Sequence, residues 1–233
     1  MIIKEILPLA IADVDDTYAC VAGISLEHEW LRPESIYKSD LIGDTEIDFE
    51  HITKFKLECN QAGRRLEDRA LGKERYFKKD RAMDSFEKEK LFQKMCEPSV
   101  DDVFLNGKTA GLFRVNVIDI QFGRTFGAGR KIRIIFEDQT GKEFNFIVVD
   151  KKFKEWFLEH FVSEVKTIIP SKKELLLEEL QGEHSYFAVT LSDNKGNFSG
   201  TYNGCHALVS GIHILDKNIY KKNIKSRKGL NHD

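Results

Sequence analysis

Three stretches of the chain concentrate side chains that neutralise phosphate. Residues 64–81 (RRLEDRALGKERYFKKDR) hold eight Lys and Arg against four acids, and residues 124–133 (RTFGAGRKIR) hold four bases and no acid. Residues 217–230 (KNIYKKNIKSRKGL) hold six bases and no acid. The formal net charge of the 233 residues is only −2, so the remainder is acidic. Segregation of this kind bears on surface potential and partners and not on fold. The first two runs also carry aromatics. That combination suits nucleic-acid binding, with guanidinium groups on phosphates and rings stacked on bases. The residues expected to form such a groove are Arg64, Arg65, Arg69, Arg75, Tyr76, Arg124, Phe126, Arg130 and Arg133. One continuous positive groove would favour nucleic acid, whereas separate patches would favour docking to an acidic protein surface.

Other chemistry is thinner. The segment IADVDDTYA is similar to the opening of the haloacid-dehalogenase-like phosphatases, an apolar strand leading into Asp-x-Asp and a Thr. By that resemblance Asp13 would be the nucleophile and Asp15 the general acid/base around a magnesium ion. Such chemistry needs a parallel sheet behind it, a tight loop and helix after the motif, and a later acidic pair following a buried strand. Here the segment after Thr17 alternates like a strand, and the later pair Asp101-Asp102 follows Pro-Ser-Val. The competing reading makes Asp13, Asp15 and Asp16 turn residues of a hairpin. His184, His206 and His213 fit no metal-ligand spacing. Cys20, Cys59, Cys96 and Cys205 are scattered without a CxxC pair, as buried free thiols would be. GxSxG, Walker A and HExxH patterns are absent. No catalytic residue, metal or cofactor is therefore expected.

The elements that must position these residues are mostly strands. With 41% hydrophobic residues and 17 Phe the chain can build a core. No apolar run approaches the roughly 18–20 residues of a membrane span. The N-terminus lacks the basic flank of a signal peptide, so a soluble, cytoplasmic protein is expected. IIKEILPLAIADV reads as a strand, and YACVAGISLEHEWLRP alternates, with Cys20, Ala22, Ile24 and Leu26 on one side. HITKFKLECN is another strand, whereas residues 60–81 show no clean period and read as a loop or ribbon outside the core. Asp84-Ser85 offers an N-cap for the helix SFEKEKLFQKMC. Residues 98–110 combine Pro, Asn-Gly and a weak pattern, the best candidate boundary. GLFRVNVIDIQFG is a long strand, and RKIRIIFEDQTGKEFNFIVVD is a hairpin turning at Asp138–Lys142 with Gly141 in the tight position. KKFKEWFLEHFVSEV is an amphipathic helix with Phe153, Trp156, Phe157, His160 and Phe161 along its stripe. SKKELLLEEL, with Ser171 as cap, is a second helix, and YFAVTLSD and CHALVSGIHIL are closing strands. Eight or nine strands against three helices predict an all-β fold with accessory helices (β-rich α+β), arranged as two small barrels.

The start of the chain resembles the bacterial dual OB-containing domain family, tandem OB folds of predicted conflict and defence systems. The resemblance lies in Cys20-Val21-Ala22-Gly23-Ile24 and above all in Trp30-Leu31-Arg32-Pro33, with Ser210-Gly211-Ile212-His213 like the family's closing element. It implies two tandem OB-like barrels, residues 1–105 and 106–233, and nucleic-acid or nucleotide sensing. It brings no catalytic residues. The signature Trp30, Arg32 and Pro33 has two readings. Trp30 and Arg32 contact a ligand, or Trp30 plugs the barrel while Arg32 pairs with an internal carboxylate. The function expected is a non-catalytic nucleic-acid-binding accessory or sensor protein with a single-stranded or structured nucleic-acid partner. The alternative is an adaptor that docks another protein of the same system, its basic tail ordering in the complex.

Overall fold

The computed structural model describes residues 1–41, 47–61, 63, 65–125, 128–164, 167–182, 184–192 and 201–215. The fold is β-rich α+β with two sheets. In chain order, β1 (Ile2–Asp13), β2 (Tyr18–Ser25), β3 (Trp30–Pro33), β4 (Ile36–Tyr37), β5 (His51–Gln61), β6 (Asp68–Leu71) and β7 (Phe77–Ala82) build the first. Helices α1 (Ser85–Met95) and α2 (Val100–Leu105) follow. The second sheet is built by β8 (Ala110–Arg114), β9 (Asn116–Thr125), β10 (Ala128–Glu137), β11 (Glu143–Val148), β12 (Ser185–Leu191) and β13 (Ala207–Ile214). Helices α3 (Lys151–Phe161) and α4 (Pro170–Leu180) lie between β11 and β12. Among the described residues no helix is long and apolar enough to cross a membrane.

The first ladder closes on itself. Strand order runs β1-β2-β3-β6-β5, and β5 returns to β1 through Ile2–Ile6. One strand serves two neighbours because β1 bends. Ile6–Asp13 pairs with β2, and the register shifts between Pro8 and Ala10, where proline has no N–H to give the ladder. β3 and β6 are parallel, while the other pairings of this closed ladder are antiparallel. The second ladder repeats this plan. β8 and β9 are two halves of one bent line broken at Val115, the first half on β12 and the second on β10. Order then runs β10-β11-β13-β12, with β11 and β13 parallel. The long strand expected over GLFRVNVIDIQFG is thus two, because one straight strand cannot hold both partners.

Two further expectations are corrected. Residues 60–81 are not outside the core: β6 is a member of the closed ladder, and Asp68 is buried. Its charge density hid it, since those charges are consumed in pairs within the fold. The second helix starts at Pro170, with Ile169 before it and no side-chain cap, so Ser171 is not the cap. Within the candidate boundary 98–110 lies the short α2, capped by Ser99. Asp84 does cap α1, in a capping box with Glu87.

Three clusters of buried side chains explain the layering. One fills the first ladder (Ile6, Ile11, Val21, Leu31, Phe55 and Leu57 among them). A second, rich in Phe, fills the space between the second ladder and α2, α3 and α4. The third lies between the two sheets, joining Leu7, Leu9, Ala22 and Ile24 to Leu91, Phe92, Tyr186 and Ala188. β1 and β2 therefore bury both faces, in β2 not the single face that its alternation suggested, because the second sheet covers the outer one.

The Asp-rich segment sits in the β1–β2 turn. Asp15 Oδ1 accepts the backbone N–H groups of Thr17 and Tyr18, both at 2.8 Å, an Asx turn. These bonds hold the Asp15 carboxyl below its ordinary value. Asp13 pairs loosely with Lys38 at 3.5 Å. An antiparallel strand follows, where phosphatase chemistry would need a loop and helix on a parallel sheet. Asp13→Asn is accordingly expected to change stability by less than about 1 kcal/mol. Asp15→Ala should lower the melting temperature measurably, and a magnesium-dependent aryl-phosphatase activity lost in Asp13→Asn would contradict this account.

Candidate functional site

A cavity of about 920 Å³ opens between the two ladders. Its walls come from β2 (Tyr18, Cys20), from Arg32 to Ser35, and from Gly63, Arg65 and Asp68. Thr109, Leu191, Ser192 and Cys205 close it from the second half. The signature segment thus lines a cavity, but its members part company. Leu31 points into the first ladder's interior. Trp30, one residue earlier, takes the opposite face and packs half-buried against the inter-sheet cluster, so it does not plug the barrel. Arg32 is buried and paired: its guanidinium meets Glu67 Oε1 at 3.1 Å and Asp68 Oδ1 at 3.8 Å. Thr109 Oγ1 donates to the same Glu67 oxygen, linking the halves. Among the described residues Arg32 Nε has no hydrogen-bond partner, although it is buried.

Aromatic side chains stack at one edge of this cavity. The Arg75 guanidinium lies 4.1 Å over the Tyr37 ring, and Tyr37 stacks on Tyr18 at 5.0 Å between centroids. Arg75, at φ +46°, is fixed there by Ser35 O at 2.6 Å and Asp40 Oδ2 at 2.9 Å. Tyr18, 37% exposed, is the member of the stack that lines the cavity. Glu34 stands on the opposite kind of footing. Burial first, and then the Asp68 carboxylate, push the Glu34 carboxyl above its ordinary value, with Arg32 pulling the other way. Both carboxylates crowd Gly63, where any side chain would collide with Asp68 Oδ2 and Glu34 Oε1.

The basic residues named from the sequence are not gathered in one groove. Arg65 lines the large cavity and donates to Leu191 O at 2.9 Å across the halves. Arg69 lines a small cavity with Lys4 and Glu29 and donates to the carbonyls of Leu66 and Asp68. Tyr76 is 41% exposed on the approach to β7. Arg130 lines a third cavity, about 440 Å³, on the second ladder. Arg124 is exposed and pairs with Arg130 across β9 and β10. Arg133 is held by Asn145, through Oδ1 at 2.7 Å and the carbonyl at 2.6 Å. Arg64, Phe126 and the tail 217–230 lie outside the described residues. Lys131, counted in the basic run 124–133 but not named for the groove, joins Arg130 at the third cavity, as does Lys154, which no basic run contained. Lys154 sits on α3, far from the basic run, and only the fold brings it there.

The closing segment Ser210–His213 serves the junction. Ser210 Oγ donates to Ala188 O at 3.2 Å, and Gly211 lies against the Leu9 carbonyl too closely to admit a Cβ. Ile212 N donates to Asp150 Oδ2 at 2.9 Å. His213 Nε2 lies 2.8 Å from Leu9 O, which accepts, so the proton sits on Nε2. Desolvation pushes the imidazole down to about 4 despite that bond. Asp150, fully buried, caps α3 through Phe153 N at 3.0 Å. Its burial outweighs its backbone bonds and raises it to about 7.

Among the described residues no group of three or more His, Cys, Asp or Glu is placed to hold a metal ion, and none of the four cysteines is in a disulfide. No protein-family model matches the chain, and no curated protein is significantly similar to it.

Proposed function

We propose that the chain is a non-catalytic nucleic-acid-binding protein, an accessory or sensor of a bacterial conflict or defence system, built of two OB barrels that divide near residue 105. The strand order supports the barrels. Each ladder joins its strands 1-2-3-5-4 and back to 1, with the third and fifth parallel. OB barrels hold oligonucleotides on the face of strands 2 and 3 and on the loops joining strands 1–2 and 4–5. In the second barrel that face is β10 and β11 with the β9–β10 hairpin. The observation that carries the reading is the cavity there. Arg130, Lys131 and Lys154 surround an apolar floor of Ile132, Ile147 and Leu158, and no carboxylate lines it among the described residues. Cations over an apolar floor suit phosphates flanked by unstacked bases. Arg124, opposite Arg130 in the ladder, extends this face, while Arg133 projects from the other side of β10.

Fluorescence anisotropy with labelled single-stranded oligonucleotides tests it. Affinity is expected to fall steeply with salt, and Arg130→Ala with Lys131→Ala should shallow the logarithmic salt slope by about one for each phosphate left without its cation. Salt-independent binding, or none at low salt, would remove the proposal. A protein-docking role is the second reading, favoured by the separation of Arg65, Arg69 and Arg130 into three cavities. A partner that co-purifies without nucleic acid after a high-salt wash would support it.

A further inference from the structure

The first barrel carries the equivalent face, and its electrostatics are different. β2 and β3, the β1–β2 turn and the segment before β6 all line the 920 Å³ cavity. Its cations are committed to the protein: Arg32 to Glu67 and Asp68, Arg65 in part to Leu191 O. Arg32 and Arg65 stand against Glu67, Asp68 and Glu34, which leaves one formal negative charge. Among the described residues the Glu34 carboxylate accepts no hydrogen bond, and it faces a second carboxylate. An ionised carboxylate is purely an acceptor, so the group this wall lacks is a donor. Beside it the Arg75–Tyr37–Tyr18 stack ends at the cavity with a ring. A planar ligand placed on Tyr18 would extend the stack.

We propose that this cavity binds a guanine base, as a free nucleotide or a strand end, with its ring on Tyr18 and its N1–H and N2–H groups donating to the Glu34 carboxylate. Of the four bases, guanine alone presents two adjacent donors on its pairing edge, matching the two oxygens of a carboxylate. The cavity volume suits one nucleotide. Leu191 and Ser192 of the second barrel wall it on the far side, so a strand would enter by its end and not run through. The inference rests on the OB reading of the first barrel, but not on the cationic face of the second.

Calorimetric titration of the full chain with GMP, AMP, CMP and UMP decides it. GMP should bind at least about tenfold tighter than the other three. Glu34→Gln relieves the repulsion with Asp68 and should stay folded by circular dichroism, yet abolish that preference. Tyr18→Ala should weaken all four nucleotides. Lys131→Ala should weaken oligonucleotide binding and leave GMP affinity within about twofold. Equal affinity for the four nucleotides, no nucleotide binding, or a preference that survives Glu34→Gln would overturn the proposal. If oligonucleotides bind with the expected salt dependence while GMP does not, the proposed function stands and this site falls; the reverse outcome keeps the site and removes the second barrel's role.

Discussion

Gly211→Val is expected to cost about 4 kcal/mol or more of unfolding free energy, at the extreme of single substitutions. A Cβ at Gly211 would overlap the Leu9 carbonyl, which is backbone and cannot swing aside, and would also crowd His213 Nε2. Relief requires β13 to withdraw from β1. That strips the Leu9 carbonyl of its bond from His213 and opens the inter-sheet cluster of Leu7, Leu9 and Tyr186. Denaturant unfolding should show a lower midpoint, with dye binding to newly exposed apolar surface. Gly123→Ala is the control, since a Cβ there meets nothing within 4 Å, and it should stay within about 0.5 kcal/mol of the wild type. Equal stability of the two variants would show that β1 and β13 do not approach as described.

The second large effect is a pair of opposed pH dependences at the same junction. His213 titrates at about 4 when folded against 6.5 ordinarily. Below pH 6.5 the unfolded chain takes up a proton that the folded chain refuses until about pH 4. Stability is therefore lost as pH falls through that window, by about 3 kcal/mol. Asp150 works in reverse, at about 7 when folded against 3.8 ordinarily. The folded chain keeps its proton while the unfolded chain loses it, so stability is lost as pH rises from about 3.8 to 7, by about 4 kcal/mol. In the wild type the two slopes largely cancel. Relative to it, His213→Gln should lose stability from pH 4 to 7, and Asp150→Asn should gain stability from pH 4 to 6.5. Parallel profiles for all three proteins by denaturant titration would refute the assignment.

The strands, the Asp138–Lys142 turn and the α3 stripe could be read from local pattern, because period and turn chemistry act over a few residues. What escaped depends on distant partners. The burial of both faces of β2 follows from a sheet whose strands lie between Ala110 and Ile214, far along the chain. The place of β6 was masked by charges that are paired only in the fold, Arg32 with Glu67 and Asp68. The same blindness affected the site. Basic runs were visible, but Arg75 is spent on Tyr37 and Asp40. Glu34, an isolated acid in the sequence, matters only because Asp68 and Tyr18 come to the same cavity.

The bond from His213 to Leu9 spans 204 residues, which has a consequence for synthesis. At roughly 5–20 residues per second, a ribosome needs on the order of 10 to 40 s to deliver β13 after β1 has emerged. During that interval the first ladder can close and α1 can lay Leu91 and Phe92 on Leu7, Leu9, Ala22 and Ile24, but Tyr186 and Ala188, which complete the cover, are still to come. The nascent chain thus displays a partly covered apolar stripe until β12 and β13 arrive, and chaperone dependence in the cell should track translation speed across the second half.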